Sequence, residues 1–181
     1  VLEWSEGRAR VVTRHKGNCN GAVEANGVCV SIGWDDTVRF TDLHTLEELA
    51  AVKLEEQPMV LRTAGSTSLV VCGHRMYLFE GQQLVDTYML PQEVEAADMD
   101  ENGLRAVVAV EKNKKQCIDV YSLQSGKIEF ECESANHELE YHRQRITVVS
   151  LSPDGSHIAS GDAGRDIKVY KIGEKEPLVT R

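Results

Sequence analysis

One short strand recurs along this chain. Its copies are rich in β-branched and aromatic residues, and they are Val38-Arg39-Phe40-Thr41, Met76-Tyr77-Leu78-Phe79, Ile118-Asp119-Val120-Tyr121 and Ile167-Lys168-Val169-Tyr170. A further copy, Val1-Leu2-Glu3-Trp4, opens the sequence, so the last residues fall at 4, 41, 79, 121 and 170, in steps of 37, 38, 42 and 49. A repeat of about 40–45 residues with four strands per unit is typical of a WD-type β-propeller blade. Such a fold indicates a recognition surface before it indicates catalysis.

The length sets how many blades the chain can supply. At 181 residues it holds just over four units of this period, whereas WD propellers commonly close with about seven. The first copy also has no earlier strands before it. We therefore predict an all-β fold, an incomplete WD-repeat propeller of about four blades. The predicted units are 1–18 (partial), 19–54, 55–90, 91–132 and 133–181.

A WD blade is fastened by four side chains: a His before the first strand, a Ser or Thr in the second, an Asp at the next corner and a Trp in the third. The His bridges the hydroxyl and the carboxylate, which is a structural hydrogen-bond network. The first full unit matches three of these positions with His15, Ser31 and Asp35, and Thr41 stands where the Trp belongs. The sequence therefore predicts a fastened blade here, with a variant third strand.

The other units match this set less well. In the last unit His142 and Ser160 match, while Gly164 occupies the predicted corner and Tyr170 replaces the Trp. The partial opening unit keeps the Trp itself as Trp4. A His before a strand is often only a half-buried core residue. Because the offsets agree in two units, we predict blade networks at both ends of the chain.

Charge and cysteine content limit the partners and the compartment. The net charge is -9, which disfavours nucleic acid, and the run Lys112 to Lys115 is interpreted as a solvated hairpin tip. Five cysteines without close pairing favour reduced thiols inside the cell. With no run of 18 apolar residues and no signal-peptide layout, we predict no membrane partner and a cytoplasmic location.

Motifs for catalysis or cofactor binding are not found in the sequence. A metal site at Cys132, His137 and His142 would need a fourth ligand, and His142 is already explained by the blade. Cys72 and His74 lack the orienting third group that a nucleophilic pair needs. We therefore predict no catalytic residue, no metal, no cofactor and no enzymatic activity.

Three segments carry a resemblance to a known family. Asp35–Thr41, Val52–Pro58 and Leu69–Cys72 resemble the second propeller of the actin-interacting protein 1 family, a two-propeller WD-repeat family. The resemblance implies a cytoskeleton-associated protein that binds actin filaments and cofilin and promotes cofilin-dependent filament disassembly. It transfers no actin-contacting residue to this chain. A general WD-repeat scaffold or adaptor is the alternative.

Surface residues that contact a partner are predicted on blade grounds alone. Trp34 and Arg39 are the candidates, with a packing role as the alternative for Trp34. The acidic connection Glu133–Arg145 is a second place for a partner contact or for disorder. Uncovered blade faces and sheet edges of a partial propeller also predict self-association.

Overall fold

The computed structural model describes residues 1–5, 8–132, 142–174 and 176–181. Most of the predicted connection Glu133–Arg145, with His137, lies outside them. In the described residues the chain forms strands and no helix, so the all-β prediction is confirmed. Four antiparallel four-stranded sheets follow one another along the chain, as in WD-repeat blades.

The chain divides into two compact units, Val1–Thr87 and Tyr88–Arg181. The strands that begin in the first unit are β1 (Leu2–Ser5), β2 (Arg8–Val11), β3 (Cys19–Ala25), β4 (Val28–Gly33), β5 (Thr37–Asp42), β6 (Glu48–Lys53), β7 (Val60–Ala64), β8 (Thr67–Val71), β9 (Arg75–Glu80) and β10 (Gln83–Met89). Strands β1 and β2 pair with each other, β3 to β6 form one sheet, and β7 to β10 form the next.

The second unit carries the other two sheets. Its strands are β11 (Val94–Met99), β12 (Arg105–Lys112), β13 (Lys115–Ser122), β14 (Ile128–Cys132), β15 (Ile146–Leu151), β16 (His157–Asp162), β17 (Ile167–Lys171) and β18 (Val179–Thr180). Both sheets run in chain order, β11 to β14 and β15 to β18. In all four sheets the recurring copy lies in the third strand.

Tight turns between neighbouring strands explain this simple order. Asn26 and Gly27 both have positive φ, 52° and 78°, which suits the two-residue turn that joins β3 to β4. Asn113 and Lys114, at 52° and 63°, form the equivalent turn between β12 and β13. The predicted hairpin tip is therefore present, although Lys112 at its base pairs with the buried Asp119 at 2.9 Å instead of being solvated.

Each unit has its own core. In the first unit the inner strands contribute Val30, Phe40, Val70 and Phe79, and the Phe40 and Phe79 ring centroids lie 5.4 Å apart. The core of the second unit contains Val107, Val120, Ile146, Ile158 and Tyr170. All of these residues except Ile146, which lies in the first strand of its sheet, come from the two central strands of their sheets. Within the described residues, no helix has the length and hydropathy needed to span a membrane.

Candidate functional site

A relay of three side chains fastens the sheet β3–β6. His15 lies in the segment between β2 and β3, Ser31 in β4, and Asp35 at the corner between β4 and β5. The His15 Nδ1 atom lies 2.8 Å from Asp35 Oδ1, and its Nε2 atom lies 2.9 Å from Ser31 Oγ. Because a carboxylate only accepts hydrogen bonds, Nδ1 carries a hydrogen and donates it to Asp35.

Asp35 collects further donors at the same corner. Its carboxylate accepts from the Lys16 backbone N–H at 2.8 Å and from the Thr37 hydroxyl at 2.7 Å. Burial alone raises the pKa of Asp35, but the hydrogen bonds from Lys16, His15 and Thr37 outweigh it and hold this pKa far below its usual value. The corner is therefore built around a carboxylate that stays ionised.

A second relay fastens the sheet β15–β18, with one difference from the prediction. His142 Nδ1 lies 3.0 Å from Asp162 Oδ2, and His142 Nε2 lies 2.6 Å from Ser160 Oγ. The carboxylate therefore comes from Asp162, two residues after Ser160, whereas Asp35 follows Ser31 by four. Gly164 stands at the corner where the pattern expects Asp, and Asp162 supplies the carboxylate of this unit.

The geometry of β16 explains the displaced carboxylate. This strand continues to Asp162, whose Oδ1 accepts from the backbone N–H groups of Gly164 and Asp166, both at 2.9 Å. A Cβ at position 164 would lie 2.9 Å from Gln144 Cγ and 3.2 Å from Asp162 Oδ1, so a side chain there would require Gln144 to move. Asp162 thus provides the carboxylate for His142 and also accepts the backbone hydrogen bonds that close the turn.

Burial decides the protonation of the second histidine. The His142 side chain is 1% exposed, and its burial lowers its pKa even though Asp162 opposes that change. Burial raises the pKa of Asp162, but the backbone N–H of Asp166 and the contact with His142 lower it overall. We therefore describe the relay as a neutral imidazole beside an ionised carboxylate.

Residues at the predicted third-strand position are buried. Thr41 and Tyr170 are each 1% exposed, and they pair across the sheet with Cys29 and Ile158. Trp4 lies in β1 opposite Ala9, and its side chain is outside the described part of the chain. In the sheet β3–β6, here called the first relay sheet, the main departure from the WD-blade pattern is Thr41 in place of a large aromatic residue.

The sheet β11–β14 makes polar contacts with β15 that the sequence did not indicate. In the second unit, Gln116 Oε1 accepts from the buried Ile146 N–H at 2.8 Å, which ties β13 to β15. Asp98 on β11 accepts from Ser150 Oγ at 2.9 Å and from Leu151 N–H at 3.0 Å. No motif marks these residues, because each contact joins side chains and backbone more than 25 positions apart. Only a buried Gln or a strand Asp hints at them.

The two predicted partner-contacting residues have different environments. Trp34 lies at the β4–β5 corner and is 55% exposed, which favours contact with a partner over packing. Arg39 is less accessible, because its guanidinium pairs with Glu48 at 2.6 Å and with Asp35 at 3.6 Å. Of the two, Trp34 is the residue that a partner can reach.

The two relays have the connectivity of a Ser-His-Asp catalytic triad, but they are closed to substrate. Ser31 is 0% and Ser160 is 3% exposed. A catalytic serine must reach a carbonyl carbon and sit beside an oxyanion site. Burial also raises the pKa of the Cys72 thiol to about 12, which opposes its use as a nucleophile. Among the described residues, no group of three His, Cys, Asp or Glu side chains is placed to share a metal ion.

Comparison with known proteins gives two relevant similarities, while no protein-family model matches the chain. The "66 kDa stress protein" of Physarum polycephalum is 28% identical over 177 residues, which covers 94% of this chain and 28% of that protein. "Actin-interacting protein 1" of Drosophila melanogaster is 27% identical over 191 aligned positions, which covers 98% of this chain and 29% of that protein. The chain thus spans less than a third of the length of either relative.

Proposed function

We propose that this chain is a non-enzymatic binding segment of an actin regulator. The observation that carries the proposal is its similarity to Actin-interacting protein 1 along nearly its whole length. The blade-like sheets support a binding role, since propellers present loops to partners. The proposed protein binds actin filaments and cofilin, promotes cofilin-dependent disassembly and works in the cytoplasm at the cytoskeleton.

The buried relays support the non-enzymatic part of this proposal. Their hydroxyls and imidazoles form hydrogen bonds that connect strands to corners, and they are shielded from solvent. A catalytic use would need an opened site with a substrate pocket beside the serine. The polar networks therefore stabilise the sheets that carry the binding surface.

Filament assays with the full-length protein test the proposal. We expect the protein to sediment with cofilin-decorated actin filaments and to raise the disassembly rate only when cofilin is present. Actin filaments without cofilin and cofilin without the protein are the controls. Equal disassembly rates with and without cofilin would overturn the cofilin-dependent step, and no sedimentation with filaments would overturn the actin role itself.

A general scaffold is the second candidate. It is favoured by one observation: the 66 kDa stress protein also matches the chain, at 28% identity over 94% of the chain's length, and its name specifies no actin partner. Quantitative recovery of proteins bound to the full-length protein distinguishes the two. Actin and cofilin as the main bound proteins would support the first candidate, and a stable complex without either would support the second.

A further inference from the structure

The exposed aromatic corner of the first unit carries an inference about partner chemistry. Trp34 is the one aromatic residue among the large exposed apolar side chains of the described chain, at 55% exposure. A single exposed apolar residue is common on protein surfaces and carries little information alone. The way that Trp34 is held, and the charges around it, are what distinguish it.

The backbone beneath Trp34 is firmly fixed. Its N–H donates to the Asn18 carbonyl at 2.8 Å, and the next residue, Asp35, belongs to the buried relay with His15. The Asp35 carbonyl also accepts from Lys53 Nζ at 2.9 Å. An exposed aromatic residue on a rigid corner loses little entropy when a partner binds it.

A glycine brings a basic segment against this corner. Gly17 has a φ of +121°, and a Cβ there would lie 3.4 Å from Trp34 Cβ. Its neighbour Lys16 is joined to the same corner through its backbone bond to Asp35, and its side chain is exposed. Arg14, two residues earlier in this segment, is also exposed.

The charges of this region do not cancel. Asp35 stays ionised in the relay and lies 3.6 Å from the Arg39 guanidinium, Asp36 pairs with Lys53 at 3.0 Å, and Glu48 pairs with Arg39. Arg14 and Lys16 have no carboxylate within ion-pair distance in the described residues. The four cations Arg14, Lys16, Arg39 and Lys53 thus exceed these three carboxylates by one positive charge, which is available to a partner on a chain whose net charge is -9.

We propose that Arg14, Lys16 and Trp34, the Trp34 surface, bind an acidic segment of a partner protein. The cations attract carboxylates of that segment, and the indole covers one of its apolar side chains. Trp and Arg are also the residue types that most often dominate binding energy. The inference rests on the proposed role as a protein-binding segment, but not on the identity of the partner.

A nucleic acid is the competing ligand class, since bases stack on Trp and phosphates bind Lys and Arg. Its regular charges would continue past two cations onto an acidic surface. A short acidic segment would contact Arg14 and Lys16 without extending over the acidic surface beyond them. The structure therefore favours a protein ligand.

Binding of defined probes to the full-length protein tests the proposal. The main probe is a fluorescein-labelled peptide that repeats Glu-Glu-Leu, the matched control repeats Gln-Gln-Leu, and a thymidine oligonucleotide represents nucleic acid. Fluorescence polarisation is expected to show binding of the Glu peptide about tenfold tighter than that of the Gln peptide. Added salt should weaken the Glu peptide more than the Gln peptide.

Variants locate the binding to this surface. Trp34→Ala and the double change Arg14→Glu with Lys16→Glu are each expected to weaken Glu-peptide binding about tenfold, whereas Trp34→Phe keeps most of it. Leu178→Ala, at a 52% exposed residue, and Lys114→Glu, at an exposed turn, are the matched controls and should bind as the wild type does. Because all changed residues are on the surface, folding is expected to be preserved, and thermal unfolding checks it.

Three results would overturn the proposal: equal binding of the two peptides, wild-type affinity in the Trp34 and charge-reversal variants, or tighter binding of the oligonucleotide. Actin filament sedimentation of the same proteins separates this inference from the proposed function. Peptide discrimination without filament binding would remove the actin role and keep the Trp34 surface. Filament binding without peptide discrimination would keep the actin role and remove the Trp34 surface.

Discussion

At the scale of single residues, the two relays solve one problem with different spacings. The imidazole needs a hydroxyl on one side and a carboxylate on the other, and the chain supplies the carboxylate wherever the local backbone presents it. In the first relay sheet that place is the corner. In the last sheet it is the end of β16, and the corner position is a glycine that lies close to the Gln144 and Asp162 side chains.

Moving the carboxylate from position 162 to the corner is therefore expected to lower the free energy of unfolding. Asp162→Ala leaves His142 and two backbone N–H groups without their acceptor, a loss of about 1–3 kcal/mol in the free energy of unfolding. Gly164→Asp should also destabilise, because its Cβ meets Gln144 and its charge meets Asp162. Denaturant unfolding measures both, with Glu101→Ala as an exposed control. A more stable Gly164→Asp variant would contradict the assigned geometry.

The protonation of His142 predicts a specific pH dependence. Its pKa is lowered below its ordinary value of 6.5, so at mildly acidic pH the unfolded chain binds a proton there that the folded chain does not. Stability is therefore full above pH 6.5 and is lost as the pH falls through the folded pKa. Asp35 and Asp162, whose pKa values are lowered from 3.8, act in the same direction in a lower range.

Thermal unfolding at several pH values tests this dependence. The melting temperature of the wild type is expected to fall by a few degrees between about pH 7 and pH 5.5. His142→Asn can keep hydrogen bonds but cannot titrate, so its melting temperature should change less over this range. A variant with the same pH dependence as the wild type would show that another group is responsible.

At the scale of elements, strand positions followed from the sequence more readily than side-chain partners. The recurring copies lie in β5, β9, β13 and β17, because alternation and branched residues are local signals. Arg39 is a surface candidate on blade grounds alone, and the sequence does not reveal its partner Glu48, because Glu48 lies on the next strand. The sequence does not point to Asp162 as the relay carboxylate, because the extension of β16 to Asp162 depends on its pairing with β15.

Gln116 provides a test of the contacts that replace a relay. Gln116→Ala removes the acceptor of the buried Ile146 N–H, and we expect a loss of about 1–3 kcal/mol in the free energy of unfolding. Gln124→Ala, at an exposed turn, is the matched control and should change stability by less than about 0.5 kcal/mol. Hydrogen exchange of the Ile146 amide gives a local readout, and unchanged protection in Gln116→Ala would contradict the assignment.

At the scale of the whole molecule, the chain has two compact units with separate cores. Ile32 belongs to the first core and Ile158 to the second, and both are 0% exposed. Each change to Val is expected to cost about 0.5–1.5 kcal/mol. Since the two clusters share no residue, the double variant should equal the sum of the single variants within about 0.5 kcal/mol.

Hydrogen exchange adds a spatial test of the same prediction. Ile32→Val should raise amide exchange mainly in residues 1–87, and Ile158→Val mainly in residues 88–181. A double variant that departs strongly from additivity, with exchange raised throughout the chain by either change, would show one cooperative core instead of two. The sequence period alone gave no indication of this division, because it is the same in both halves.

The displaced carboxylate of the last sheet has a consequence for how related chains are recognised. A search pattern that demands Asp at the corner rejects residues 142–181, although their histidine and serine are fastened like those of the first relay sheet. A pattern that accepts Ser-Gly-Asp at the end of the second strand together with a small residue at the corner would include them. Divergent repeats can thus be identified by the hydrogen bond between histidine and carboxylate that they preserve, even where the residue type at the corner has changed.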